Sequence, residues 1–236
     1  MSKYIECDSL FNKLIIYFKK ALFQDSSKYA KKLRKIIYRL LIKVSKVKDK
    51  KVNNKEVVDV FCQKIDEIIG KIKMDLIFIY ESDPAALDIE EITLTYPGFF
   101  AIIAYRISHL FSELIVPYLP RMLSEYAHGR TGIDIHPGAK IDSPFCIDHG
   151  TGIVIGETTE IGHHVKIYQN VTLGALSLEK GQMLKGTKRH PTVGNFVTIY
   201  AGASILGGNT IIEDGVVVGS NVFITKSISK NEIIKK

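Results

Sequence analysis

The sequence predicts an α+β protein, with an N-terminal α-helical domain over residues 1–130 followed by a left-handed parallel β-helix of hexapeptide repeats over residues 131–236. Two observations carry this reading. Apolar residues recur three and four apart from residue 9 to about 125, then every six positions from Ile133 onward, and each period belongs to a different backbone geometry. Glycine is scarce in the first stretch and recurs between the hexads of the second, where tight corners favour it.

In the first stretch, Leu33, Ile36, Ile37, Leu40 and Leu41 form one apolar stripe with lysines opposite, the pattern of a helix lying on a core. Asn53-Asn54 marks a break before a second helix over roughly 55–80. Ser82-Asp83-Pro84 reads as a helix start, with proline at the first helical position. Tyr96-Pro97-Gly98 is another break, Phe99 to Leu114 is amphipathic, and Pro117 and Pro120 interrupt the segment after it.

In the second stretch the hexads begin at Ile135, Ile141, Ile147 and Ile153. The register slips by two and resumes at Ile155, Ile161, Ile167 and Leu173. After a loop at about 175–191 it returns at Val193, Ile199, Ile205, Ile211 and Val217, with Phe223 in the same slot. Each hexad makes one flat face of a triangular coil, and three complete a turn of about 18 residues with the aliphatic side chains stacked inward as a column.

Charge and composition exclude several roles. The net charge of +7 is uneven: residues 1–80 hold 19 Lys+Arg against 9 Asp+Glu, and the remainder 13 against 16. The basic peak between Lys28 and Lys55 lacks arginine–aromatic interleaving and any zinc or recognition-helix signature, so it reads as the solvated face of a lysine-rich helix and not as a nucleic-acid surface. The opening MSKYIECDSL lacks the layout of a signal peptide. The longest uncharged apolar stretch, Ile92 to Tyr105, is 14 residues long and is broken by Pro97-Gly98, too short to span a bilayer. Three cysteines, Cys7, Cys62 and Cys146, are too few for a disulfide scaffold, and Cys146 reads as structural. A cytoplasmic protein with no membrane or nucleic-acid partner is expected.

Regular coils perform no chemistry, so the interruptions matter. The slip after His149-Gly150-Thr151-Gly152 carries one histidine and the 175–191 loop carries another, His190. Zinc catalysis would need three converging imidazoles. The adjacent pair His163-His164 is expected to point to opposite faces of a strand and to sit exposed at a corner, so no metal site is expected. Asp134 and His149 lie 15 residues apart, slightly less than one coil, and could meet on successive coils. A carboxylate beside an imidazole fixes its tautomer and stabilises the imidazolium. The same residues would serve equally as a turn-capping aspartate and a corner histidine, and spacing does not choose.

The motifs SDPAA (from Ser82), AYRISH (from Ala104), DIHPGAKI (from Asp134), IDHGTG (from Ile147), IGET (from Ile155), VTLG (from Val171) and RHP (from Arg189) occur in this order. Together they make residues 70 to 225 resemble serine O-acetyltransferase, and the loop text YQNVTLGALS resembles its long-loop branch. The resemblance implies transfer of an acetyl group from acetyl-CoA, a co-substrate, to the hydroxyl of L-serine, the first step of cysteine biosynthesis. His149 would be the general base and Asp134 would orient it. Arg189, with His190 beside it, would grip the serine carboxylate, and Asp83 and Asp148 would receive its ammonium. Glu157 falls on a further active-site position. Thr172, Gly174, Ala201 and Gly219 would line the groove for the CoA arm.

The resemblance also implies a homotrimer with active sites at its interfaces, with a dimer of trimers through the helical half as a further expectation. L-cysteine would be a feedback inhibitor at the serine site. The sequence stops at Glu232-Ile233-Ile234-Lys235-Lys236, without the family's tail that docks into O-acetylserine sulfhydrylase, so no stable complex with that enzyme is expected by this route. The alternatives are an acetyltransferase for another small hydroxyl or amino acceptor, such as homoserine, a sugar or a xenobiotic, and a non-catalytic hexapeptide scaffold.

Overall fold

A computed structural model describes residues 6–25, 30–46, 53–177 and 179–235. Among these, seven helices come first: α1 (Asp8–Ala21), α2 (Ala30–Ser45), α3 (Asn54–Gln63), α4 (Ile65–Ser82), α5 (Ile89–Thr95), α6 (Pro97–Glu113) and α7 (Leu119–Thr131). Fourteen short strands follow, numbered along the chain, all paired in parallel and wound into three stacked sheets. The first face holds β1 (Asp134–Ile135), β4 (Val154–Ile155), β7 (Thr172–Gly174), β10 (Ser204–Leu206) and β13 (Phe223–Ile224). The second holds β2 (Lys140–Ile141), β5 (Glu160–Ile161), β8 (Thr192–Val193) and β11 (Ile211–Ile212). The third holds β3 (Phe145–Asp148), β6 (Val165–Tyr168), β9 (Thr198–Ile199), β12 (Val217–Val218) and β14 (Ile233–Ile234).

The hexad period thus builds the solenoid it predicts, here about five coils. Ile135, Ile155, Leu173, Ile205 and Ile224 stand in register on the first face. Ile141, Ile161, Val193 and Ile212 do so on the second. The expected register fails in the last coils. Ile211 and Phe223 are exposed, at 46% and 71%, whereas Ile212, Val218 and Ile224 are buried. One extra residue lies between Ile205 and the next inward position. It is absorbed after β10, where Gly207 takes a left-handed φ of +104°. Alternation along a strand then turns each following hexad over by one residue.

In the helical half, the stripe of α2 is buried as expected, with Val44 extending it. The ends of the basic stretch, including Lys28 and residues 47–52, lie outside the described residues, as does Leu178 in the loop. Asn53 caps α3, its side chain accepting from the Glu56 N–H at 3.3 Å. The single helix expected over 55–80 is two, parted at Lys64. No helix starts at Pro84. Asp83 instead ends α4, and its carboxylate accepts the Ala85 N–H at 2.9 Å, closing a turn of the kind aspartate favours. The next helix starts at Ile89, capped by Asp88. Pro97, expected at a break, occupies the first position of α6, where its missing N–H costs nothing.

A buried ion pair bolts the two halves together. The Arg106 guanidinium on α6 meets both Asp75 oxygens on α4 at 2.9 and 3.0 Å. It also donates to the Ile141 and Asp142 carbonyls of the solenoid. Asp75 accepts in addition from the Phe145 N–H and the Ser143 hydroxyl, each at 2.9 Å. Tyr105 donates to the Ala139 carbonyl at 2.7 Å and accepts the Ile141 N–H at 3.0 Å. Buried charges survive only when satisfied in this way. The AYRISH motif therefore positions the helical half on the first coil.

Candidate active site

Polar groups gather at two corners of the solenoid. The corner joining the third face to the first begins at Asp148, the last residue of β3. His149 follows with φ +59°, a left-handed conformation uncommon for a side-chain-bearing residue. Gly150 comes next at φ +90°, and a Cβ there would sit 2.5 Å from Ile133 and 2.8 Å from Ile147. This turn throws the imidazole outward, 71% exposed, with Nε2 3.7 Å from Asp148 Oδ1.

The helical half delivers Asp83 to the same corner. Besides the Ala85 N–H, its carboxylate accepts the Tyr96 hydroxyl at 2.7 Å. These hydrogen bonds hold the Asp83 pKa below the ordinary carboxylate value, and the same bond pushes Tyr96 up to about 12. Lys166 joins the two halves here: its ammonium donates to the Ser82 carbonyl at 2.9 Å and pairs with Asp148 Oδ2 at 3.2 Å. Burial opposes the charge of Lys166, but hydrogen bonds to Tyr168 and Asp148 and the nearby negative groups leave its pKa raised. Cys146 lies beneath α4, almost fully buried, and burial pushes its thiol up to about 12, as a structural cysteine requires.

The corner joining the first face to the second is different. Thr158 anchors the returning end of the 175–191 loop there: its hydroxyl accepts the N–H groups of Arg189 and His190 at 2.9 and 3.1 Å, and its carbonyl accepts Lys188 Nζ at 2.7 Å. Arg189 is hydrogen-bonded to Glu157, which holds the Glu157 pKa below the ordinary value. Its Nη1 is buried without a hydrogen-bond partner. His190 is buried, and burial lowers its pKa to about 4. It is therefore neutral, and its Nδ1 accepts the Thr158 N–H at 3.1 Å, leaving the proton on Nε2. The ring lies against Gly156, where any Cβ would overlap it.

Asp134 belongs to this second group and not to the first. Its Oδ1 is 3.8 Å from Arg121 and accepts no hydrogen bond, although buried. Burial lowers the His136 pKa, and Glu157, Arg121, Asp134 and Arg189 all act on it electrostatically. Among the described residues no hydrogen bond or ion pair joins Asp134 to His149. The expected closure of this pair on successive coils is not made within the chain, because β1 pairs with β4 and the two side chains leave the coil at different places.

Of the four residues expected in a CoA groove, Thr172 and Gly174 lie on β7 of the first face. Ala201 and Gly219 follow β9 and β12 at the corner that carries His149. His163 and His164, expected on opposite sides, meet instead. His164 takes φ +56°, the Nδ1 atoms are 2.8 Å apart, and His164 stacks on Phe196. A corner breaks strand alternation, which is the basis of that expectation. Glu125, His128 and Asp134 offer ligand atoms near one another, and Glu125 is also paired with Arg121. Reading the sequence alone leaves out Tyr96, Lys166 and Thr158. Lys166 follows Cys146 by 20 residues and stands opposite it in register on the next coil, two positions before the partner of Asp148, and no motif marks it.

Parallel strands wound from hexads into a triangular solenoid, here with polar groups gathered at two corners, are the fold of the hexapeptide-repeat acyltransferases. No family model matches the chain. It is 46% identical over 184 residues to the plasmid serine acetyltransferase of Synechococcus elongatus, covering 77% of this chain and 57% of that protein. It superposes on serine acetyltransferase 1 of Entamoeba histolytica in complex with L-cysteine, at 39% identity and a TM-score of 0.87, over 99% of this chain and 88% of that one. It also superposes on a serine acetyltransferase in complex with CoA, at 27% identity and a TM-score of 0.66, over 95% of each. The chain belongs to the serine acetyltransferase family.

Proposed function

We propose that the protein transfers the acetyl group of acetyl-CoA to the hydroxyl of L-serine, giving O-acetyl-L-serine and CoA. The observation that carries this is the His149 corner: one exposed imidazole held by a left-handed turn beside Asp148, with Asp83 brought to the same place by α4. His149 removes the hydroxyl proton as the oxygen attacks the thioester carbon. The C–S bond then breaks, and the proton passes from the imidazolium to the departing thiolate. Asp83 and Asp148 receive the serine ammonium. The unpartnered Nη1 of Arg189 takes the serine carboxylate, for which a planar donor is suited, and the neutral His190 offers a second N–H.

The two corners of one chain do not meet, so the site is completed between copies, and the chain acts as a homotrimer. Asp134 of one copy orients His149 of the next, which satisfies a buried oxygen that a lone chain leaves unpaired. Thr172, Gly174, Ala201 and Gly219 line the CoA arm in the groove between them. L-cysteine, serine with a thiol in place of the hydroxyl, occupies the same contacts as an inhibitor. Free-thiol release from acetyl-CoA tests the reading. Release is expected with L-serine and not without an acceptor. Release only with another hydroxyl or amine would keep the chemistry and replace the substrate.

A further inference from the structure

Lys166 makes contacts that the acetyl-transfer chemistry does not itself require. It leaves β6 in register with Cys146 of the preceding coil, and its side chain is only 14% exposed. One ammonium reaches across the boundary between the two halves. It binds the Ser82 carbonyl in the last turn of α4 and the Asp148 carboxylate at the end of β3. The carbonyls of a last helical turn lack intrahelical partners and carry partial negative charge, so a cation there is favoured. The ammonium lies 4.9 Å from the centre of the Tyr168 ring. Tyr168 is stacked in turn on Tyr200, with ring centres 5.1 Å apart. The Tyr168 face thus adds a cation–π contact to the ammonium.

This placement bears on Asp83. Its carboxylate is already fixed to its own turn by the Ala85 N–H and the Tyr96 hydroxyl. What remains to be set is where the end of α4 stands against the solenoid, and Ser82, the residue before Asp83, is the point Lys166 holds. The same ammonium offsets the charge of Asp148 at 3.2 Å and favours the charged form of Asp83.

We propose that Lys166 is a positioning residue of the acceptor site, fixing the separation of Asp83 and Asp148 so that both reach one acceptor ammonium. This rests on the assignment of those two carboxylates under the proposed function. The acceptor then meets two carboxylates compensated by one internal cation, a charge balance suited to a zwitterionic amino acid.

Two measurements test it. Rates of thiol release are taken across serine and acetyl-CoA concentrations for wild type, Lys166→Met and Lys166→Arg. Lys166→Met is expected to raise KM for serine about tenfold, with a much smaller fall in kcat and no change in KM for acetyl-CoA. Lys166→Arg, which keeps both contacts, is expected to recover most of the loss. Should Lys166→Met not fold, Lys166→Gln keeps a donor and loses the charge. An unchanged KM for serine in a folded neutral variant would overturn the proposal, as would a fall in kcat alone. The second measurement is hydrogen exchange at the Ala85 amide, expected to speed up about tenfold in Lys166→Met. It needs no substrate. If wild type released no thiol with serine, the proposed function would fail, while unchanged exchange at Ala85 would separately sink the Lys166 tie.

Discussion

The two polar corners of the solenoid are built in opposite ways. At the His149 corner the key ring is exposed, its turn is left-handed, and its carboxylate neighbours are held by donors from both halves of the molecule, Tyr96 on Asp83 and Lys166 on Asp148. At the Arg189 corner the histidine is buried and neutral, and the end of a long loop is pinned by a single threonine. One corner offers a base and negative charge, and the other offers donors. A small zwitterion needs both. They stand on different corners of the solenoid, His149 after β3 and Arg189 before β8, and under the proposed function they are brought together between neighbouring copies.

The largest expected effect separates the two corners kinetically. His149→Ala should lower kcat about a thousandfold, within the range for loss of a general base. Arg189→Ala should instead raise KM for serine about ten- to a hundredfold, the cost of a lost charge-assisted contact. A near-normal kcat in the first variant would remove the base assignment. A change in KM for acetyl-CoA in the second would reassign the arginine.

Mixing sharpens the comparison further. In trimers formed by coexpressing His149→Ala and Arg189→Ala chains, some sites draw an intact His149 from one copy and an intact Arg189 from its neighbour. With random assembly at equal amounts, activity should return to roughly a quarter of wild type, by the symmetry of a closed ring. Activity no greater than the average of the two parents would mean that each chain carries a complete site.

The smallest effect concerns pH. The folded pKa of His190 is lowered to about 4 from an ordinary 6.5, so the unfolded chain binds this proton more readily. Its contribution to stability is whole above pH 6.5 and is lost as pH falls towards 4, by about 1–3 kcal/mol. Thermal melts between pH 8 and pH 4 should show this loss in wild type. The His190→Gln variant should show a shallower slope over the same window, and an identical slope would place the buried titration elsewhere.

Local patterns and long-range contacts divide the molecule in a similar way. The hexad period alone predicts three stacked parallel faces, because inward aliphatic spacing is a local pattern that each coil repeats. The residues of both corners are legible too, as motifs. Packing in three dimensions settled the rest. One inserted residue after Ile205 moved the buried positions to Ile212, Val218 and Ile224, since strand alternation turns on a single position. Asp83 became the end of a helix and not the start of one, because the boundary turns on that residue's own hydrogen bonds. Asp134 went to Arg121 and away from His149, and Lys166 came from the next coil to Ser82 and Asp148. These outcomes depend on closure of the coils and on the docking of α4 and α6, and contacts across such sequence distances leave no period for a sequence to display.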